Sequence, residues 1–426
     1  MSKHVLSFGG RKFRVVKDSF DGGGQGKVYH AEDEITGLPA IYKVLDRPDD
    51  KNANGKARLR YMVDNQIGAS LPQVCPPLVP REKRGELGYL TLRAPGVALD
   101  QDRPRRFPER LETAWILACH WSRLEAQGLA HGDVAPSNFT ITPEGDVWVI
   151  DTDGFAAQDP FVPQPTMVGQ HPFLAPEIRT ARNQKKPIAA TINSDRFAWT
   201  VLLSCVLLNR HPTDGLKVAT PAKFDKVMMS GKWPERRRRP KKGETPITAL
   251  GNDLPLLFDK AFNATPAGRP SANDWRLALG RALQNMVQHK CGHVFVAGKR
   301  NTCPWCGQSY QPLLSAKAQD QLTIRLRALS KPEATEFTFK RGERLILGRS
   351  NIPGASAFVS SEHLALAIIG NDLHLENLGR NGTLIAVKGR GEQLLSRLVT
   401  ALPGKALDGA VLTLADTKVA LGISAR

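Results

Sequence analysis

The stretch HGDVAPSN, residues 131–138, sets Asp133 and Asn138 on a segment that Gly132 and Pro136 keep out of regular structure. An aspartate and an asparagine there can cap a turn. They can also hold a proton and a metal ion. The next residues, FTITPEGDVWVIDTDGF (139–155), bear on the choice. A short apolar strand, VWVI at 147–150, delivers Asp151 and Asp153 into a glycine turn. Phosphoryl transfer needs a carboxylate facing the acceptor hydroxyl, oxygen ligands for magnesium and a cation on the phosphates. Asp133 suits the first role. Asn138 and Asp151 suit the second, because hard cations take oxygen ligands. Lys43, at the end of the strand AIYK, suits the third.

Working outward, residues 12–45 read as hairpins with a turn at Thr36-Gly37. Residues 56–71 read as a helix and 88–93 as a buried strand. Apolar spacing predicts helices over 110–127, 194–209 and 271–287. After 290 a short Cys/His segment gives way to alternating β-type runs from about 322 onward.

Taken in order, these signposts resemble the eukaryotic-type protein kinases over residues 12–287. DGGGQGKVY (21–29) resembles the family's glycine-rich loop, with Gly22, Gly23, Gly24, Gly26 and Val28 as nucleotide-binding positions. Lys43 resembles the phosphate-contacting lysine. HGDVAPSN resembles the catalytic loop and IDTDG the magnesium motif. The segment HPFLAPEI (171–178) resembles the close of the activation loop, Asp195 the aspartate opening the central helix, and Arg269 the partner of Glu177. The resemblance implies ATP and Mg2+ as cofactors, with Asp133, Lys43, Asn138 and Asp151 as the catalytic set. DTDGF combined with NRHPTDG (209–215) looks like bacterial kinases of tellurite-resistance-type gene clusters. Those kinases tend to accompany a von Willebrand A-type protein and a PP2C-type phosphatase.

The departures from the family pattern are specific. Asp21 replaces the first glycine of the loop, Ile41 stands where a small alanine is usual, and Asp153 stands in the magnesium motif where the family usually has glycine. Gly132 replaces the arginine that receives an activation-loop phosphate, so phosphorylation there is not expected to be the switch. Ala135 replaces the lysine that touches the transferred phosphate. Helix 56–71 has no glutamate, which leaves Asp64 as the candidate partner of Lys43, or else a solvated helix-face charge.

KCGHVFVAGKRNTCPWCGQ (290–308) holds Cys291, His293, Cys303 and Cys306. The CPWCG turn presents two thiolates to one ion, and four N/S ligands suit a tetrahedral structural zinc site. A free cysteine pair with a surface histidine is the bland alternative. A redox CxxC would sit at a helix start beside a βαβ unit.

The segment from 322 onward resembles a forkhead-associated (FHA) domain, carried by Gly348-Arg349-Ser350, Ser360-Ser361-Glu362-His363 and Asn381-Gly382-Thr383. That family binds phosphothreonine at the loops of one end. Arg349 can fork onto phosphate oxygens, the Ser360 hydroxyl can donate to the same phosphate, Ser350 and Ser361 complete the phosphopeptide-binding positions, and Asn381 can hold ligand backbone. Ser361 stands where arginine or asparagine is usual. His363 is read as a brace for the loop.

The expected fold is α+β: a two-lobed kinase-like fold at 12–287, a zinc-ribbon-like element at 288–315 and an all-β FHA sandwich at 320–426. The chain has 426 residues, enough for more than one core, and a net charge of +18. The basic run 235–242 reads as a solvated loop. Nucleic acid is not expected as a partner, since only the net charge suggests it. No apolar run of membrane length and no signal core is seen, and the cysteine usage fits a reducing compartment, so the expected location is cytoplasmic. The expected function is a serine/threonine kinase whose FHA domain binds phosphothreonine on a partner or on itself. The alternatives are a pseudokinase scaffold that binds nucleotide and recruits phosphoproteins, and a small-molecule phosphotransferase.

Overall fold

Alternation of apolar and polar residues in the first ninety positions builds one antiparallel sheet. We describe it from a computed structural model, which covers residues 4–8, 10–21, 26–45, 53–68, 71, 73–83, 86–143, 145–157, 162, 164–165, 169–298, 300–310, 322–328, 336–339, 343–369, 372–379, 383–387, 391–395, 399–403, 410–415 and 417–425. The strands are β1 (His4–Phe8), β2 (Arg11–Asp21), β3 (Gly26–Asp33), β4 (Pro39–Leu45), β5 (Val79–Lys83) and β6 (Glu86–Leu92), in the order β1-β2-β3-β4-β6-β5. Phe13, Val15, Ala31, Ala40, Tyr42, Val44 and Leu90 form a core on this sheet. The β3–β4 turn falls at Thr36-Gly37. Asp33 Oδ1 accepts the amides of Ile35 and Thr36, and Gly37 supplies the positive φ of 69°.

Helix α1 spans Ala53–Asp64, seven residues short of the expected end at 71. Gln66 and Gly68 take positive φ values of 50° and 78°, which turns the chain out of the helix. Leu59 of α1 packs with Leu45, Leu87 and Tyr89. The rest of the first unit is mainly helical. It contains β7 (Val97–Ala98), α2 (Phe107–Ala126), β8 (Leu129–Ala130), β9 (Phe139–Ile141), β10 (Val147–Val149) and β11 (Ala156–Ala157). These are followed by α3 (Pro176–Asn183), α4 (Ile192–Leu208), α5 (Pro221–Met228), α6 (Asp253–Asn263) and α7 (Ala272–Gln284). The short helices α3, α5 and α6 do not stand out by periodicity. Two of them open with proline at the first position, where its missing N–H costs nothing. Helix α4 is buried along nearly its whole length, and its Trp199 stacks on Trp121 of α2 at 5.6 Å. Thr191 and Ser194 cap its start reciprocally.

The basic run is a solvated loop only at its far end, 239–242. Glu235 is buried and accepts a bidentate pair from Arg210 at 3.0 and 2.7 Å, while Arg236 pairs with Asp259 and Arg238 with Glu244. Arg239, Lys241 and Lys242 stay exposed.

The structure divides into two compact units, Met1–Leu279 and Gly280–Arg426, with the boundary inside α7. After the end of α7, the second unit holds a hairpin, β12 (Met286–Gln288) against β13 (Val294–Val296). Ten further strands follow: β14 (Leu322–Ala328), β15 (Glu336–Phe339), β16 (Arg344–Leu347), β17 (Leu364–Ile369), β18 (Asp372–Asn377), β19 (Thr383–Val387), β20 (Gly391–Leu395), β21 (Val399–Pro403), β22 (Val411–Leu414) and β23 (Thr417–Ala425). They form a six-stranded sheet, β15-β14-β23-β22-β19-β20, and a four-stranded one, β16-β17-β18-β21. Leu326, Leu347, Leu366, Leu375, Ile385 and Leu412, from strands of both sheets, share one core. Among the described residues no helix is long and apolar enough to cross a membrane.

Candidate functional site

Asp195 organises the HGDVAPSN loop from the first turn of α4. Its carboxylate accepts the amides of His131 and of Gly132, the latter at 3.1 Å. Burial pushes its pKa up to about 7, against the pull of those two amides. Gly132 has φ of 79°, and a Cβ there would stand 2.9 Å from the Gly154 carbonyl oxygen. The residue that replaces the family arginine therefore sits where a side chain does not fit. The His131 ring is fully buried between Phe139 and Phe155, with centroids 5.7 and 5.3 Å away, and burial lowers its pKa.

The hairpin β9–β10 brings the loop and the IDTDG segment together. Phe139 faces Val149 in register, and the Ile150 amide donates to the Asn138 carbonyl at 3.0 Å. Asn138 and Asp151 thus leave adjacent ends of one hairpin. The Asn138 Nδ2 donates to the Asp133 carbonyl at 2.6 Å, and Asp133 Oδ1 accepts the Gln170 amide at 3.1 Å. Asp151 adopts the left-handed conformation, φ 58° and ψ 46°, which costs a non-glycine residue roughly 1 kcal/mol.

Lys43 reaches this loop from β4, where it faces Val28 of β3 and Tyr89 of β6. Its Nζ donates to Asp151 Oδ1 and, at 2.9 Å, to Asp153 Oδ1. The Tyr89 hydroxyl donates to that same Asp153 oxygen at 2.7 Å. Asp64 does not meet Lys43. It is exposed at the last residue of α1, because the helix ends there and its earlier turns carry no acid. Asp153 and Tyr89 were not singled out as Lys43 partners from sequence. The signal for Asp153 was its place where a glycine is usual. Gly26 opens β3 and Val28 is half-buried, whereas Gly22, Gly23 and Gly24 lie outside the described residues. The hard-oxygen donors Asn138 and Asp151 fit a magnesium ion, and Lys43 fits anionic phosphate.

Below the loop, Arg269 forks onto both oxygens of Glu177, each at 2.7 Å, and also donates to the Asn193 carbonyl. The chain has relatives among known proteins. No protein-family model matches it. It is 26% identical over 219 residues to protein kinase YegI of Escherichia coli, covering 48% of this chain and 33% of that protein. It is 26% identical over 294 residues to serine/threonine-protein kinase PknD of Mycobacterium tuberculosis, covering 66% and 41%. Sperm motility kinase 2A of Mus musculus is 26% identical over 242 residues, covering 55% and 45%. The chain spans less than half the length of each. These likenesses support a protein kinase.

In the second unit, the cysteine segment gathers a different ligand set from the one expected. His289, Cys291, Cys303 and Cys306 place their ligand atoms within 4.8 Å of one another. His289 Nδ1 lies 3.0 Å from Cys291 Sγ and 3.7 Å from Cys306 Sγ, and the Cys291 and Cys303 sulfurs are 3.6 Å apart. His293 comes within 3.5 Å of Cys291 Sγ, but its ring stacks on Trp305 at 4.5 Å and it falls outside the four. The His289 and His293 amide and carbonyl are paired across the β12–β13 turn, so the two histidines sit on opposite arms of it. Hydrogen bonding from His289 lowers the Cys291 pKa to about 5, which favours the ligating thiolate.

At the loop end of the β-sandwich, Gly348 permits a close approach that any Cβ would block, 1.9 Å from the Ser361 carbonyl oxygen. That approach sets Arg349 and Ser350 beside the 360–361 turn. The Arg349 amide donates to the Ser360 carbonyl at 2.9 Å, and the Ser350 hydroxyl to the Ser361 carbonyl at 2.9 Å. Arg349, Ser350 and Ser361 are exposed and Ser360 is half-buried. His363 is fully buried, and its Nδ1 accepts the Ser360 amide at 3.0 Å, so it braces the loop. Asn381 lies outside the described residues.

Proposed function

We propose that the first unit is an ATP- and magnesium-dependent serine/threonine protein kinase. The observation that carries this is the meeting of Asp133, Asn138, Asp151 and Lys43 through one hairpin and one strand. Lys43 would bind the nucleotide phosphates. Asn138 and Asp151 would hold magnesium, which when bound neutralises phosphate charge. Asp133 would orient the acceptor hydroxyl and take its proton as the oxygen attacks the terminal phosphorus and ADP leaves. Glu177 bound to Arg269 supports a protein substrate over a small molecule, because that pair fixes the segment on which a polypeptide would dock. The test is phosphate incorporation, read by mass spectrometry after incubation with Mg-ATP and candidate proteins, for the full chain and Asp151→Ala. Equal incorporation by both would overturn the proposal.

For the second unit we propose an FHA domain that binds phosphothreonine through Arg349, Ser350, Ser360, Ser361 and Asn381. Arg349 supports this, exposed, adjacent to Ser350 in the chain and bonded through its amide to the Ser360 carbonyl. A phosphothreonine peptide should bind the full chain and not Arg349→Ala. The phosphopeptide would come from a partner or from the chain itself. A von Willebrand A-type protein and a PP2C-type phosphatase are the proposed partners, by likeness to tellurite-resistance-type kinases. The His289, Cys291, Cys303 and Cys306 cluster would hold a structural zinc ion, since four soft N/S donors suit a closed tetrahedral site.

A further inference from the structure

We propose that Asp153 is the residue that positions Lys43, in place of a carboxylate from helix α1, so that the lysine is held by the same loop that supplies the proposed metal ligand Asp151. This rests on the kinase reading of the first unit. In protein kinases this lysine is held by a glutamate of the helix that follows its strand, and moving that helix makes or breaks the pair. Here α1 offers no such group. Its sequence is ANGKARLRYMVD, and the terminal Asp64 is exposed.

The Asp153 carboxylate is built for the task from two sides. Lys43 Nζ meets Oδ1 at 2.9 Å, and the Tyr89 hydroxyl meets the same oxygen at 2.7 Å. Lys43 and Tyr89 are register partners on β4 and β6, so their side chains leave the sheet on one face and converge. The two aspartates differ in burial. The Asp153 side chain is 9% exposed and that of Asp151 is 20% exposed. Asp151 also accepts from the lysine, but it is the more open of the pair and can exchange that contact for a cation, while Asp153 stays on the ammonium. Holding Lys43 then needs no movement of α1.

The experiment measures ATP affinity by calorimetry on the full chain, with and without magnesium. Asp153→Asn keeps the shape and removes the charge. It should weaken ATP binding roughly tenfold in both conditions, as expected for losing one charge-assisted contact. Tyr89→Phe, a milder change that removes only the hydroxyl, should weaken it in the same direction by a smaller factor. Asp64→Ala should bind as the wild type does. In a Lys43→Met background, Asp153→Asn should add nothing, because it acts through the lysine. Loss confined to the magnesium condition would make Asp153 a metal ligand and overturn the inference. So would an equal loss from Asp64→Ala, or unchanged binding by both Asp153→Asn and Tyr89→Phe. A wild-type chain that does not bind ATP overturns the kinase reading, and this inference with it.

Discussion

Arg269 holds both carboxylate oxygens of Glu177 at 2.7 Å, and the arginine side chain is 2% exposed while the glutamate is 28% exposed. The pair ties the segment after the candidate site to the chain just before α7. Removing the arginine strands a half-buried carboxylate and leaves the Asn193 carbonyl without this donor. Arg269→Ala should cost about 2–3 kcal/mol, at the lower end for a broken buried pair because Glu177 keeps some water. Arg269→Lys should recover little, since an ammonium cannot fork. Chemical denaturation of the three proteins checks this, and equal midpoints for wild type and alanine variant would refute it.

Gly132 should resist substitution. Its φ of 79° and the 2.9 Å approach to the Gly154 carbonyl penalise any Cβ. Gly132→Ala should destabilise the fold by about 1–3 kcal/mol. Gly132→Arg, which installs the arginine of the kinases that the loop resembles, should do at least as much harm. Thermal melts at fixed pH report the order. A stable arginine variant would show that the backbone here is not committed to the left-handed region.

Acid sensitivity should trace in part to His120. The ring is fully buried, its Nε2–H donates to the Val147 carbonyl at 2.9 Å, and burial drops its pKa to about 3. The folded chain therefore refuses a proton that the unfolded chain accepts below about 6.5. Its contribution is complete above that pH and is lost as pH falls toward 3. By pH 4.5 the loss should be about 3 kcal/mol. His120→Gln should flatten the fall in stability between pH 7 and 4.5 by that amount, measured by urea unfolding at each pH. Parallel curves for the two proteins would exclude His120 as the source.

Metal content should separate the two histidines of the cysteine segment. Zinc should copurify at one ion per chain, and His289→Ala should lose it while His293→Ala retains it, because His289 lies with the three sulfurs and His293 stacks on Trp305. Elemental analysis after dialysis decides. The opposite pattern would restore the ligand set expected from spacing.

Read alone, the sequence determined the order of parts and the chemistry available. HGDVAPSN, IDTDG, Lys43 on a strand, the CPWC turn and the GRS loop all stand in local structure of the expected kind, because turns, strand alternation and donor types are short-range properties. The tertiary structure alone decided which group faces which. Lys43 meets Asp153 and not Asp64, since α1 ends at residue 64 and the hairpin register carries the 151–153 loop to the sheet. His289 and not His293 lies with all three thiols, since the His293 ring stacks on Trp305. Both outcomes depend on side-chain direction at the end of an element, which spacing along the chain does not encode.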